Sequence, residues 1–124
     1  MAYGRSNSHN GSGRRGGYGC NEKFVSLEYK VRLNREGKGQ VIFDTSIYSL
    51  FTIAVENISP EVMEVQVEVS PNQCAYKKDS VPFLVPGNGA LETYIVRYFL
   101  KYTIVNITGC PQGIAYVYLQ GHRA

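Results

Sequence analysis

Residues 25–33 read VSLEYKVRL, with Val25, Leu27, Tyr29, Val31 and Leu33 on one parity and Ser26, Glu28, Lys30 and Arg32 on the other. A period of two is the signature of a strand with one face on a core and the other in water. The turn-rich NREGKG (34–39) ends it, and QVIFD (40–44) begins a second strand. IYSLFTIAVEN (47–57) is nearly continuous in apolar and β-branched residues, the pattern of a strand covered on both faces. EVMEVQVEV (61–69) alternates again, with Met63, Val65, Val67 and Val69 opposed to Glu64, Gln66 and Glu68. The turn SPNQ then leads into a short strand through Cys74 and Tyr76. VPFLV and ALETYIVRY flank PGNG, and KYTIVNI and IAYVYL flank TGCPQG; both linkers carry turn residues.

About eight strands separated by Gly- and Pro-bearing turns, with no segment of helical period, predict an all-β fold. The expected architecture is a two-sheet jelly-roll β-sandwich. In the last strand Tyr116 and Tyr118 share a face with Ile114, opposite Ala115, Val117 and Leu119. One apolar face serves the core. The other needs a cover, from a sheet edge, the N-terminal segment or a second subunit.

That N-terminal segment has a different texture. GRSNSHNGSGRRGGYGC (4–20) holds six glycines and no carboxylate or aliphatic side chain. The division is therefore an extended Gly/Arg-rich arm over 1–20 and a sandwich over 21–124. The formal net charge is +3, and Arg5, Arg14 and Arg15 in the arm account for it, so the body is balanced. A segment this polar cannot bury enough surface to order itself and needs a partner. Fully extended, twenty residues reach roughly 65–70 Å, which is enough to pass one neighbour and dock on the next. Arg5, Arg14, Arg15, Tyr3 and Tyr18 are the candidate contacts of that arm with other copies of the chain, and Tyr116 and Tyr118 mark a candidate interface strand.

Catalytic and cofactor chemistry finds little support. GSGRRG (11–16) fits G-x-G-x-x-G, but a polar tail precedes it and a strand follows, where a dinucleotide site needs a strand before and a helix after. The two aspartates, Asp44 and Asp79, and the two histidines, His9 and His122, fall in no nucleophile or metalloprotease motif. No enzyme activity, cofactor or metal is expected. There is no apolar run of membrane-spanning length and no secretory h-region, so synthesis is expected in the cytoplasm without membrane contact. Three arginines are few for nucleic acid, where each neutralised phosphate adds a modest increment. Cys20, Cys74 and Cys110 form no C-x-x-C. An odd count leaves idle thiols or pairing between chains, and their placement at element ends favours the second.

Two stretches, IYSLFTIAVENISPEVMEVQVEVSPNQ and VRYFLKYTIVNITGCPQGIAYVYLQG, resemble a family of small β-domains among the spore-surface proteins of endospore-forming bacteria. The overall plan also resembles endospore appendage subunits, eight-stranded jelly rolls preceded by a cysteine-bearing connector. The resemblance implies a subunit that polymerises by strand-edge augmentation and arm docking, with Cys20 and Cys110 as inter-subunit disulfide candidates and Cys74 a third. The arm departs from that pattern: it lacks the adjacent cysteine pair and is longer and more basic. The expectation is a self-assembling structural subunit of a helical extracellular or spore-surface fibre, whose partners are its own copies and other spore-surface or fibre-tip proteins. Two alternatives stay open: a jelly-roll coat protein whose basic arm binds nucleic acid, and a carbohydrate- or surface-binding β-domain.

Overall fold

A computed structural model describes residues 2–6, 24–98 and 100–123, with ten strands among them and no helix. In chain order these are β1 (Ala2–Ser6), β2 (Phe24–Arg32), β3 (Lys38–Asp44), β4 (Tyr48–Asn57), β5 (Met63–Ser70), β6 (Lys77–Lys78), β7 (Phe83–Val85), β8 (Ala90–Ile95), β9 (Tyr102–Thr108) and β10 (Ile114–Arg123). Sheet I runs β1-β2-β10-β4-β8; sheet II runs β3-β9-β5, with β6 and β7 both on the far edge of β5. Every pairing is antiparallel. The chain is an all-β sandwich of jelly-roll type.

The alternation of the sequence becomes the core directly. Val25 and Val31 of β2, Val65, Val67 and Val69 of β5, and Ala115, Val117 and Leu119 of β10 are buried between the sheets with Ile53 and Val55 of β4. Removing this surface from water is the dominant favourable contribution to the fold. Turn chemistry fixes the register. The Asn34 side chain accepts from the N–H of Glu36 (2.9 Å) and Lys38 (3.0 Å), and Gly37 closes the turn at φ 75°. Asn57 is buried at the end of β4: its Nδ2 donates to the carbonyls of Glu61 (2.7 Å) and Val85 (3.0 Å), and its Oδ1 accepts from the Ser59 N–H (3.0 Å).

Four local expectations are corrected. IYSLFTIAVEN is not covered on both faces; Phe51, Ile53 and Val55 are buried, whereas Thr52, Ala54 and Glu56 point outward, only half-buried by neighbouring strands. Cys74 and Tyr76 lie in a turn, because Ser70 Oγ and Asn72 Oδ1 capture the N–H groups of residues 72–75 that a strand would need. The strand forms at Lys77–Lys78 instead. β8 stops at Ile95 because the next available N–H groups, those of Arg97 and Tyr98, donate to the Asp79 carboxylate (2.9 and 3.0 Å). Finally, Ala2–Ser6 is no free arm. It pairs with β2 of its own domain, Ala2 opposite Val31 and Ser6 opposite Leu27, and forms an edge of sheet I.

Candidate functional site

The two outer faces of the sandwich differ. On sheet II, Gln40 Nε2 donates to Asn106 Oδ1 (2.8 Å), Asn106 Nδ2 donates to Glu68 Oε1 (3.0 Å), and Gln66 Nε2 donates to the Ser80 carbonyl. That face carries a row of polar groups bonded to one another, with Ile42 of β3 and Leu84 of β7 exposed beside it.

Sheet I carries apolar and aromatic groups outward. Register sets its rows: Tyr116 lies beside Glu56, which lies beside Leu91; Tyr118 beside Ala54, beside Thr93; Gln120 beside Thr52, beside Ile95. Leu91 and Ile95 are 53% and 60% exposed, and Leu50, on β4 beyond the Thr52–Ile95 pair, is 54% exposed. At the end of the face the Phe24 and His122 rings meet edge to face, 6.0 Å between centroids. Exposed apolar surface gathered on one face marks an interaction site more often than a scattered distribution does.

Within this face lies a groove of about 410 Å³, lined by Thr52, Ala54, Glu56, Leu91, Thr93, Tyr118 and Gln120. Its depth comes from side-chain size. Ala54 occupies the middle of the central row, so the floor sinks between Tyr118 on one side and Leu91 on the other. The Tyr118 ring reaches diagonally across the strand gap, and its hydroxyl donates to Glu56 Oε1 at 2.8 Å. Diagonal neighbours across antiparallel strands are about 7–8 Å apart, within reach of an aromatic side chain. Burial, and then the bond to Glu56 and its negative charge, push the Tyr118 phenol up to about 12. The bond to Glu56 fixes that hydroxyl as a donor. Gln120 Nε2 donates to Ser26 Oγ (3.2 Å), which steadies the rim. A carboxylate has about four lone-pair sites, so Glu56 keeps acceptor capacity for a ligand.

The β8 wall is held from behind. Asp79 is fully buried after β6, and its carboxylate accepts from Tyr94 Oη (2.7 Å) as well as from the Arg97 and Tyr98 N–H groups. Its own N–H donates to the Val67 carbonyl of β5 (2.8 Å). The residue thus ties sheet II to the end of β8 in sheet I.

Of the residues singled out in the sequence, Tyr118 lines the groove and Tyr116 lies one row away on the same face. Cys74 and Cys110 are exposed free thiols on separate loops. Cys20, Arg14, Arg15 and Tyr18 lie outside the described residues; Tyr3 and Arg5 are placed by backbone register alone, opposite Lys30 and Glu28. Glu56, Gln120, Thr52, Thr93, Ala54 and Leu91 were not foreseen. The signal that reveals them is the parity of LFTIAVE, in which Thr52, Ala54 and Glu56 alternate with Phe51, Ile53 and Val55. Among the described residues no three His, Cys, Asp or Glu side chains converge as metal ligands.

Similarity to solved structures is at the level of fold. A tailspike protein 4 domain of bacteriophage CBA120 shares 12% identity at a TM-score of 0.51, over 80% of this chain and 17% of that one. The Cnp3 cupin domain of Schizosaccharomyces pombe shares 9% at 0.46, over 99% and 61%. A xylan-binding module of Paenibacillus barcinonensis shares 8% at 0.39, over 99% and 83%. No curated protein matches the sequence. Residues 44–121 match the profile of a family described as a domain of unknown function, DUF6385.

Proposed function

The chain belongs to that family, and we propose that it is a non-catalytic saccharide-binding β-sandwich domain whose ligand lies in the groove of sheet I. One observation carries this: an aromatic ring tethered beside an apolar depression by a hydrogen bond to a carboxylate, with an amide and two threonines in the same lining. A pyranose has an apolar C–H face and a rim of hydroxyls. The face packs on the Tyr118 ring, Ala54 and Leu91, and the hydroxyls donate to Glu56 and exchange hydrogen bonds with Gln120, Thr52 and Thr93. The volume lies within the ~300–1,000 Å³ common for small-ligand sites.

The test is retention on a panel of insoluble polysaccharides, followed by calorimetric titration with oligosaccharides from any that retain the protein. Tyr118→Ala removes the central aromatic anchor, and such truncations cost upward of about 1–2 kcal/mol; a loss of about tenfold or more is expected with an unchanged circular dichroism spectrum. A wild-type protein retained by no polysaccharide would end the proposal.

A second reading, the fibre subunit, draws support from β8. This strand ends sheet I, and its Leu91 and Ile95 are exposed. An edge of this kind is a template for a strand from another copy. Assembly on a spore surface, with disulfides through Cys20, Cys74 or Cys110, belongs to this second reading. Filaments in negative-stain images of the purified chain would favour it, and a monodisperse monomer at high concentration would remove it.

A further inference from the structure

The groove's charge is simpler than its shape. Of the seven residues that line it, Glu56 alone has an acidic side chain and none has a basic one. The Tyr118 hydroxyl is committed as a donor to that carboxylate and brings no positive charge. In the register, the neighbour of Tyr118 on the far side is Glu28, a second carboxylate. Lys30 and Arg32 stand beside Tyr116 and Ile114 on β2, and Arg5 opposite Glu28 on β1, so that β10 lies between all three and the Ala54 floor. Among the described residues no basic side chain lines the groove.

We infer that the groove selects saccharides that are neutral or carry free amines, and rejects those that carry carboxylates or sulfates. The inference rests on the saccharide-binding proposal above and adds the class of sugar. Its physical basis is local. Glu56 is half-buried, so its field is less screened than that of an open surface charge. A uronate placed over Ala54 brings a like charge into the same depression, with no cation to offset it. A glucosamine in the same pose brings an ammonium that Glu56 can accept from, and a charge-assisted hydrogen bond is about twice as strong as a neutral one. Glucose lies between, donating neutral hydroxyls to the same oxygens.

The experiment is calorimetric titration at low salt with three β- or α-linked hexasaccharides: glucose, glucosamine and galacturonic acid. The wild-type protein is expected to bind the glucosamine oligomer about three- to tenfold more tightly than the glucose oligomer, and the galacturonate at least about tenfold more weakly than glucose. Raising the salt concentration compresses these ratios. Glu56→Gln keeps the shape of the side chain and removes its charge; it is expected to bring the three ligands within about threefold of one another. Galacturonate binding as tight as glucose binding, or a ranking that Glu56→Gln leaves intact, would overturn the inference and leave the saccharide proposal standing. If none of the three, nor any neutral polysaccharide, binds the wild-type protein, the saccharide proposal itself falls.

Discussion

Removing the Asp79 carboxylate tests how sheet II holds the groove wall. The side chain accepts three hydrogen bonds, from Tyr94 Oη at 2.7 Å, Arg97 N at 2.9 Å and Tyr98 N at 3.0 Å, with no exposure to solvent. Hydrogen bonds to a charged group contribute about 1.5–3 kcal/mol each, and an orphaned buried donor costs a similar amount. The three act on one residue and are not additive, and water entering the vacated space recovers part of the loss. Asp79→Ala is therefore expected to cost about 3–5 kcal/mol, a large share of the ~5–15 kcal/mol typical of a small domain. For a domain of this size each kcal/mol lowers Tm by roughly 3–5 °C, so the midpoint falls by at least about 9 °C. Urea unfolding followed by circular dichroism measures the loss. A double-mutant cycle with Tyr94→Phe makes it specific: that substitution should cost about 1–2 kcal/mol in the wild type and measurably less once the carboxylate is gone, where the Tyr94 hydroxyl keeps only its bond to the Asp79 backbone carbonyl. An Asp79→Ala protein within ~1 kcal/mol of wild type, or a Tyr94→Phe cost that is the same in both backgrounds, would show that the clamp contributes nothing beyond its geometry.

The remaining predictions concern pH and one turn. The Tyr118 phenol sits at about 12 against an ordinary 10.0, so its proton is held in the folded chain after the unfolded chain has released it. The stability this represents is fully present below about pH 10 and is lost as the pH rises toward 12; Tyr118→Phe should flatten that stretch of the profile, and identical profiles would refute the assignment. Burial also raises Tyr94 and Tyr48, so some alkaline sensitivity survives in that variant. Gly37→Ala places a side chain at φ 75° with its Cβ 2.0 Å from the Gly109 carbonyl oxygen, which obstructs the β2–β3 turn against the β9–β10 loop. The backbone conformation alone costs about 1–3 kcal/mol, and an unchanged thermal midpoint would contradict this account.

How much was legible in the chain can be judged strand by strand. The parities of VSLEYKVRL, EVMEVQVEV and IAYVYL carried over intact, because period-two alternation is imposed by a core on one side and water on the other. The opposite parity of β4 was hidden by its own apolar richness. Ala54 reads as core in a one-dimensional pattern, and it becomes a groove floor only when Tyr118 and Leu91 stand beside it across two different ladders. Asp79 was equally hidden, since an acid after two lysines reads as a surface loop. Its partners come from 15 to 19 residues further along, and no local rule connects them. The turn at 70–76 went to side-chain capture over strand pairing, a competition between Ser70, Asn72 and the ladder that propensity alone does not decide. AYGRS carries no apolar stripe, so nothing in it announces a sheet edge.

The polar ladder on sheet II has a consequence for how the molecule can be handled and presented. Gln40, Asn106 and Glu68 are bonded in a row and Gln66 is bonded to the Ser80 carbonyl, so much of that side's polar capacity is already engaged within the domain, beside the exposed Ile42 and Leu84. The domain therefore has a front and a back. Fixed to a support, or to a larger neighbour, through its back, it would still hold the cleft beside Tyr118 out toward whatever drifts past.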